Sequence, residues 1–178
     1  MKIAVFVGSL QESSYNKKLA KNLEALSPEG VEFEYVKIAM PLFNQDLEEE
    51  KPEIVTKAKQ MVELADAVLF VTPEYNRSVP GVLKNAIDWV SRPYGFNSFK
   101  DKPAGIVGAT INIAGTAAAQ AELRNILSYL QMRIMGQPEV YIPSITPEIF
   151  NENGTITDER WEKNLRQYME ALTVFVRQ

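Results

Sequence analysis

Three loops of this 178-residue chain collect most of the groups that could do chemistry. Gly8–Asn16 (GSLQESSYN) offers Ser9, Gln11, Ser13, Ser14, Tyr15 and Asn16 between an apolar run and a helical pattern. Thr72–Val79 (TPEYNRSV) offers Glu74, Tyr75, Asn76 and Ser78 in the same setting, stiffened by Pro73. Thr110–Thr116 (TINIAGT) is smaller, with Thr110, Asn112 and Gly115. The chain contains no histidine and no cysteine. That excludes disulfides, thiolate nucleophiles, Ser-His-Asp triads and imidazole or thiolate metal sites. Histidine acid–base chemistry is also excluded, which points catalysis near neutral pH toward a bound cofactor.

The residue types suggest what the loops could hold. Hydroxyls beside the free N–H groups of a helix start make an anion site, and a phosphate group on a nucleotide or flavin suits it. Serines in that position serve equally well as helix caps. The spacing fits neither G-x-G-x-x-G nor G-x-x-x-x-G-K-[ST], which argues against a Rossmann dehydrogenase and against an ATP or GTP hydrolase. In the second loop, backbone groups from Glu74 to Asn76 could read the edge of a flat heterocycle, and Tyr75 is costly to expose without a use. Asn76 and Ser78 also have a structural reading, as turn former and helix cap. Thr110, Asn112 and Gly115 could close the far side of a flat ligand, or form a plain turn with Thr116 as cap.

These loops need a scaffold, and the hydrophobic pattern supplies one. Ile3–Val7 and Ala67–Val71 are continuous apolar runs, the mark of parallel strands covered on both faces, and Ala104–Ala109 reads as a further strand. Val31–Val36 alternates apolar and acidic residues, as a half-exposed edge strand does. Glu139–Ile142 reads as a fifth strand. Helical spacing predicts helices over about Tyr15–Leu26, Pro52–Ala65, Pro80–Val90, a stretch holding Leu123, Ile126, Leu127 and Leu130, and a last helix from Thr157 or Asp158 onward. Pro80 fits only a first turn, so it fixes one helix start. Glu48-Glu49-Glu50 reads as a solvated approach to a helix, and Lys84 and Asp88 as an exposed i,i+4 ion pair. Trp89 suits either a core or an interface.

Strand and helix alternate five times without a linker or repeat. This gives an α/β fold: one doubly wound five-stranded parallel sheet in the order 2-1-3-4-5, helices on both faces, as a single domain over 1–178. Ligands bind such sheets at the switch point, here between the first and third strands. The two most unusual loops leave those two strands.

A hydrophobic content of 46%, a charged content of 24% and a net charge of −4 are ordinary for a globular domain, with no basic patch for nucleic acid. No apolar run reaches the length of a membrane span, and the first residues lack a cleavage pattern. These features predict a cytoplasmic protein with neither membrane nor nucleic-acid partners.

GSLQESSYNKKLA near the start and TPEYNRSVPGVLKNAIDWVSR in the middle resemble the NAD(P)H-dependent FMN reductase family of flavodoxin-like proteins, which includes quinone, chromate and azo-dye reductases. The likeness covers nearly the whole chain. It implies non-covalent FMN, with Ser9, Ser14 and Asn16 at the phosphate, within a cofactor set that also includes Gln11 and Tyr15. Pro73, Glu74, Tyr75, Asn76 and Ser78 would lie on the ring side, with Thr110, Asn112 and Gly115 opposite. It further implies hydride transfer from NADPH or NADH, ping-pong passage of electrons to a small acceptor, and a homodimer or homotetramer. No protein acid or base is assigned, because the flavin carries the chemistry.

Two departures stand out. The family commonly has arginine where this chain has Gln11, which removes a charge-assisted contact worth about 1.5–3 kcal/mol. Lys17 or Lys18 could compensate, or both could simply face solvent. The Thr110–Thr116 loop is also less glycine-rich than the family pattern. Two rival readings remain beside the reductase: a flavodoxin-type electron carrier and a flavin-binding sensor acting through a protein partner.

Overall fold

The computed structural model describes residues 1–178. Strands β1 (Lys2–Val7), β2 (Glu32–Tyr35), β3 (Ala67–Val71), β4 (Pro103–Ala109), β5 (Arg133–Ile134) and β6 (Val140–Ile142) form one parallel sheet. Helices α1 (Tyr15–Ala25), α2 (Glu53–Leu64), α3 (Gly81–Val90), α4 (Ala117–Tyr129) and α5 (Glu159–Val176) connect and follow the strands. The strand order is β2-β1-β3-β4-β5, with β6 also paired to β4. The 2-1-3-4-5 arrangement holds, and β2 is the half-exposed edge strand.

The fifth position differs from the single strand expected over Glu139–Ile142. β5 pairs with the start of β4, at Pro103 and Ala104, whereas β6 pairs with its end, from Val107 to Ala109. Between them lies a break holding Pro138. Proline has no N–H to give a ladder, so edge strands are where such an interruption is tolerated.

Alternate residues of the buried strands face two separate cores. Phe6, Phe70 and Ile106 pack with α2, α3 and α4, and the rings of Phe6 and Phe70 stack 5.3 Å apart. Val5, Leu69 and Val107 pack with α1 and α5. Trp89 belongs to the first core: it is fully buried and its Nε1 donates to the Pro41 carbonyl at 2.8 Å. The expected Lys84–Asp88 pair forms at 2.8 Å. Glu48 is not simply solvated, since it accepts from Arg92 Nε at 2.8 Å.

The strand ends beside the switch point are drawn very close together. A Cβ on Gly8 would lie 2.9 Å from Thr72 Oγ1, and one on Gly108 would collide with the Thr72 carbonyl and Thr116 Oγ1. Gly108→Val should therefore cost about 3 kcal/mol, at the upper end of overpacking penalties. A fall in Tm of about 6–12 °C is the expected readout. A melting curve that overlays the wild type would show that these strand ends are looser than described.

Candidate functional site

The first loop is built around the start of α1. Gly8 donates its N–H to Val71 O at 2.8 Å, tying the end of β1 to β3. Ser14 caps α1, accepting the Asn16 N–H on Oγ at 3.2 Å. The backbone N–H groups of Leu10, Gln11, Glu12, Ser13 and Tyr15 have no acceptor within the protein. Donors left free near the positive end of a helix are the kind of group an anion would take. Ser9, in the same loop, is buried. Gln11 is exposed, with Nε2 donating to Ser13 Oγ at 3.2 Å.

The two lysines weighed as substitutes for the missing arginine part company. Lys17 reaches back into the loop and donates to Leu10 O at 3.2 Å. Lys18 turns away, with Nζ 5.2 Å from the centre of the Phe150 ring. Tyr15 stacks on the same ring at 6.1 Å.

Asn16 is buried, and both ends of its amide are engaged. Nδ2 donates to Ala109 O at 2.9 Å, and Oδ1 accepts the Ala109 N–H at 3.0 Å. The side chain thus acts as a strand neighbour, clamping the first loop to the end of β4.

The second loop contains a two-residue turn. Tyr75 and Ser78 exchange N–H···O bonds of 3.1 and 3.0 Å, and Asn76 and Arg77 both have positive φ, 52° and 65°. Positive φ at both central positions defines the type I′ turn, which asparagine tolerates and arginine seldom occupies. Ser78 therefore closes a turn, and Pro80 stands at the helix cap position. Tyr75 is half exposed.

Glu74 does something the residue pattern alone did not disclose. Its side chain is only 3% exposed, and Oε2 accepts the Ala119 N–H at 3.1 Å in the first turn of α4. In return Glu122 of α4 accepts the Val79 N–H at 3.1 Å. Two carboxylate–amide bonds running in opposite senses lock the second loop to the start of α4. Arg77 stands 3.6 Å from the other Glu74 oxygen.

In the third loop Asn112 Oδ1 accepts the Ala114 N–H at 3.0 Å, and Gly115 has φ 65°. Thr116 occupies the cap position of α4 without a capping bond, and its Oγ1 accepts from Gln120 at 2.8 Å. Tyr141 packs against Gly115. Burial, then a hydrogen bond to Glu139, pushes its phenol up to about 12, so it stays protonated at neutral pH.

The three loops enclose a cleft of about 380 Å³ at the carboxyl edge of the sheet. Ser9, Gln11, Ser14, Tyr15, Asn16, Pro73, Glu74, Tyr75 and Thr110 line it, joined by Ala109 and Ile111. Asn76, Ser78, Asn112 and Gly115 are outside that lining and shape the turns behind it. Ile111, 75% exposed, was not picked out from the residue pattern, although its place between Thr110 and Asn112 was available. Ile113, two residues on in the same loop, is 86% exposed and lies outside the lining.

Residues 1–147 match the family model described as NADPH-dependent FMN reductase. A 2-hydroxy-1,4-benzoquinone reductase of a Burkholderia species is 45% identical over 178 residues, covering 99% of this chain and 97% of that protein. A quinone reductase of Pseudomonas putida is 42% identical over 159 residues, 88% of this chain and 85% of that protein. Among solved structures, FerB, a flavoenzyme NAD(P)H:(acceptor) oxidoreductase from Paracoccus denitrificans, superposes with a TM-score of 0.93 at 43% identity. That superposition covers 99% of this chain and 97% of FerB.

Proposed function

Since this chain belongs to the NADPH-dependent FMN reductase family and is an FMN-dependent NAD(P)H oxidoreductase, we propose that the three-loop cleft is its flavin site and that a quinone is its electron acceptor. The observation that carries the site is the set of five backbone N–H groups without protein acceptors around the α1 start. Such donors suit a phosphate dianion and nothing apolar. On the ring side the backbone N–H groups of Glu74, Asn76 and Arg77 are likewise unpaired, beside the half-exposed Tyr75.

When bound, FMN supplies the two-electron chemistry, taking reducing equivalents from NAD(P)H and giving them to the acceptor. The chain's own residues bind and orient. Ser9, Ser14, Tyr15 and the loop amides hold the phosphate, Gln11 borders it, and Lys17 contributes the positive charge nearest the loop. Pro73 stiffens the ring-side turn, where Glu74, Asn76 and Ser78 fix the backbone and Tyr75 meets the ring. Thr110, Asn112 and Gly115 fix the opposite wall. Asn16 holds the phosphate loop and that wall at constant separation. The exposed Ile111 in the cleft lining suits a flat, weakly polar acceptor, and an open cleft would admit donor and acceptor in turn, as ping-pong kinetics requires.

Quinone is the acceptor class that two of the relatives' own names carry. The exposed Tyr94, Phe96 and Tyr129, 85%, 74% and 82% exposed, favour association of copies as a homodimer or homotetramer. A role in the cytoplasm accords with dependence on the NAD(P)H pool.

Comparing FMN with riboflavin tests the phosphate cradle. FMN should bind at least tenfold more tightly, since each charge-assisted contact is worth about 1.5–3 kcal/mol. Equal affinity for the two flavins would move the phosphate away from Ser9–Asn16.

A further inference from the structure

A second cleft, of about 440 Å³, opens on the same carboxyl edge of the sheet, on the β2 side. Its volume falls in the roughly 300–1,000 Å³ range of small-molecule sites. Its walls are apolar, with Leu10, Ile38 and Ile54 among them, yet three lysines border it: Lys17, Lys21 and Lys37. Ser9 lines both this cleft and the three-loop cleft, so the two meet at the phosphate loop.

Lys17 is held by the phosphate loop through Leu10 O, whereas Lys21 and Lys37 are only lightly committed. Lys37 is exposed and has no hydrogen bond or ion pair within the protein. Lys21 pairs with Glu24 at 2.9 Å, with side chains 65% and 35% exposed, an arrangement of small net value. Its Nζ also lies 4.1 Å from the centre of the Tyr35 ring, another wall of the cleft. Nearby carboxylates are already engaged: Glu24 also accepts from Tyr35 OH at 2.8 Å, and Glu53 pairs with Lys57. In a chain of net charge −4, two lightly committed lysines beside one apolar cleft suit a ligand with a flat body and a strongly anionic substituent.

Resting on the flavin-site reading above, we infer that this cleft receives the adenosine end of NADPH, with Lys37 and Lys21 taking its 2′-phosphate. NADPH is an extended molecule whose nicotinamide must sit at the flavin ring. An adenosine end that runs along the carboxyl edge meets this cleft, which shares Ser9 with the three-loop cleft. The adenine packs on the apolar wall and Tyr35, and the 2′-phosphate, absent from NADH, displaces Glu24 from Lys21. The lysines therefore set the preference between the two nucleotides.

The test uses the FMN-loaded protein and two readouts. By calorimetry, adenosine 2′,5′-bisphosphate should bind at least tenfold more tightly than AMP, and Lys37→Gln or Lys21→Gln should remove most of that difference. In turnover, each variant should lower kcat/KM for NADPH about tenfold and change that for NADH less than twofold. Equal binding of bisphosphate and AMP, or variants that shift both nucleotides alike, would overturn the assignment. A protein whose flavin is reduced by both nucleotides with an unchanged ratio in the variants defeats this inference alone. A protein whose flavin is reduced by neither defeats the reductase assignment, and the calorimetric comparison still decides whether the lysines read the phosphate.

Discussion

Replacing Asn16 with alanine should lower the stability of the protein by about 2–4 kcal/mol and weaken FMN binding at least tenfold. The stability term follows from stranding the Ala109 N–H and C=O, which the Asn16 amide satisfies at 3.0 and 2.9 Å in a buried setting. Each unsatisfied buried group costs about 1–3 kcal/mol. In a chain of this length the loss should appear as a fall in Tm of roughly 5–15 °C. The affinity term follows because the same amide sets the distance between the phosphate loop and the end of β4. Asn16→Asp sharpens the test. It keeps an acceptor for the Ala109 N–H but sets a carboxylate oxygen against the Ala109 carbonyl, so it should be no better than alanine. If Asn16→Ala melts like wild type and binds FMN normally, the clamp is not what holds these loops.

Glu74→Ala is the second change with a large expected effect. The Glu74 carboxylate neutralises a free N–H at the start of α4 and sits where the helix dipole favours negative charge. Removing it should cost about 1–2 kcal/mol, the usual value of an N-terminal capping contact. Tyr75 and the type I′ turn follow Glu74 directly, so FMN affinity should fall by about tenfold. Glu74→Gln retains an acceptor without the charge and should lie between the two. The changes can be read separately by thermal melting and flavin titration. A stability loss with unchanged FMN affinity would reduce Glu74 to a helix cap with no bearing on the ring side.

These two residues show where sequence reading stops. The three buried strands, the edge strand and the start of α3 are local matters: continuous or alternating apolar runs and a proline that only a first helical turn accepts. They were readable, and so was the coincidence of two unusual loops at the switch point. The partner of Asn16 lies 93 positions away in the chain, and nothing local distinguishes an asparagine that meets a ligand from one that pairs with a distant backbone. The Glu74–Ala119 bond spans 45 positions. The turn at Asn76-Arg77 was obscured because arginine gives no signal of positive φ, where glycine would have announced it. The division of the fifth strand lies in the register of its two pieces, one on Pro103–Ala104 and the other on Val107–Ala109. Lys17 and Lys18 are adjacent in sequence, and only the rotation of α1 sends one to the phosphate loop and the other to Phe150.

The rival readings also turn on observable chemistry. An electron carrier or a sensor would hold flavin in the same cleft, because free loop amides recognise a phosphate whatever the flavin then does. Reduction by nicotinamide separates them. The most direct measurement is the absorbance spectrum of the purified protein loaded with FMN, followed under anaerobic conditions while NADPH and then NADH are added. Loss of the oxidised flavin bands on addition of either nucleotide, and their return when a benzoquinone is added, is the predicted result. Bound flavin that stays oxidised with both nucleotides would contradict the assignment and leave a carrier reduced by another protein.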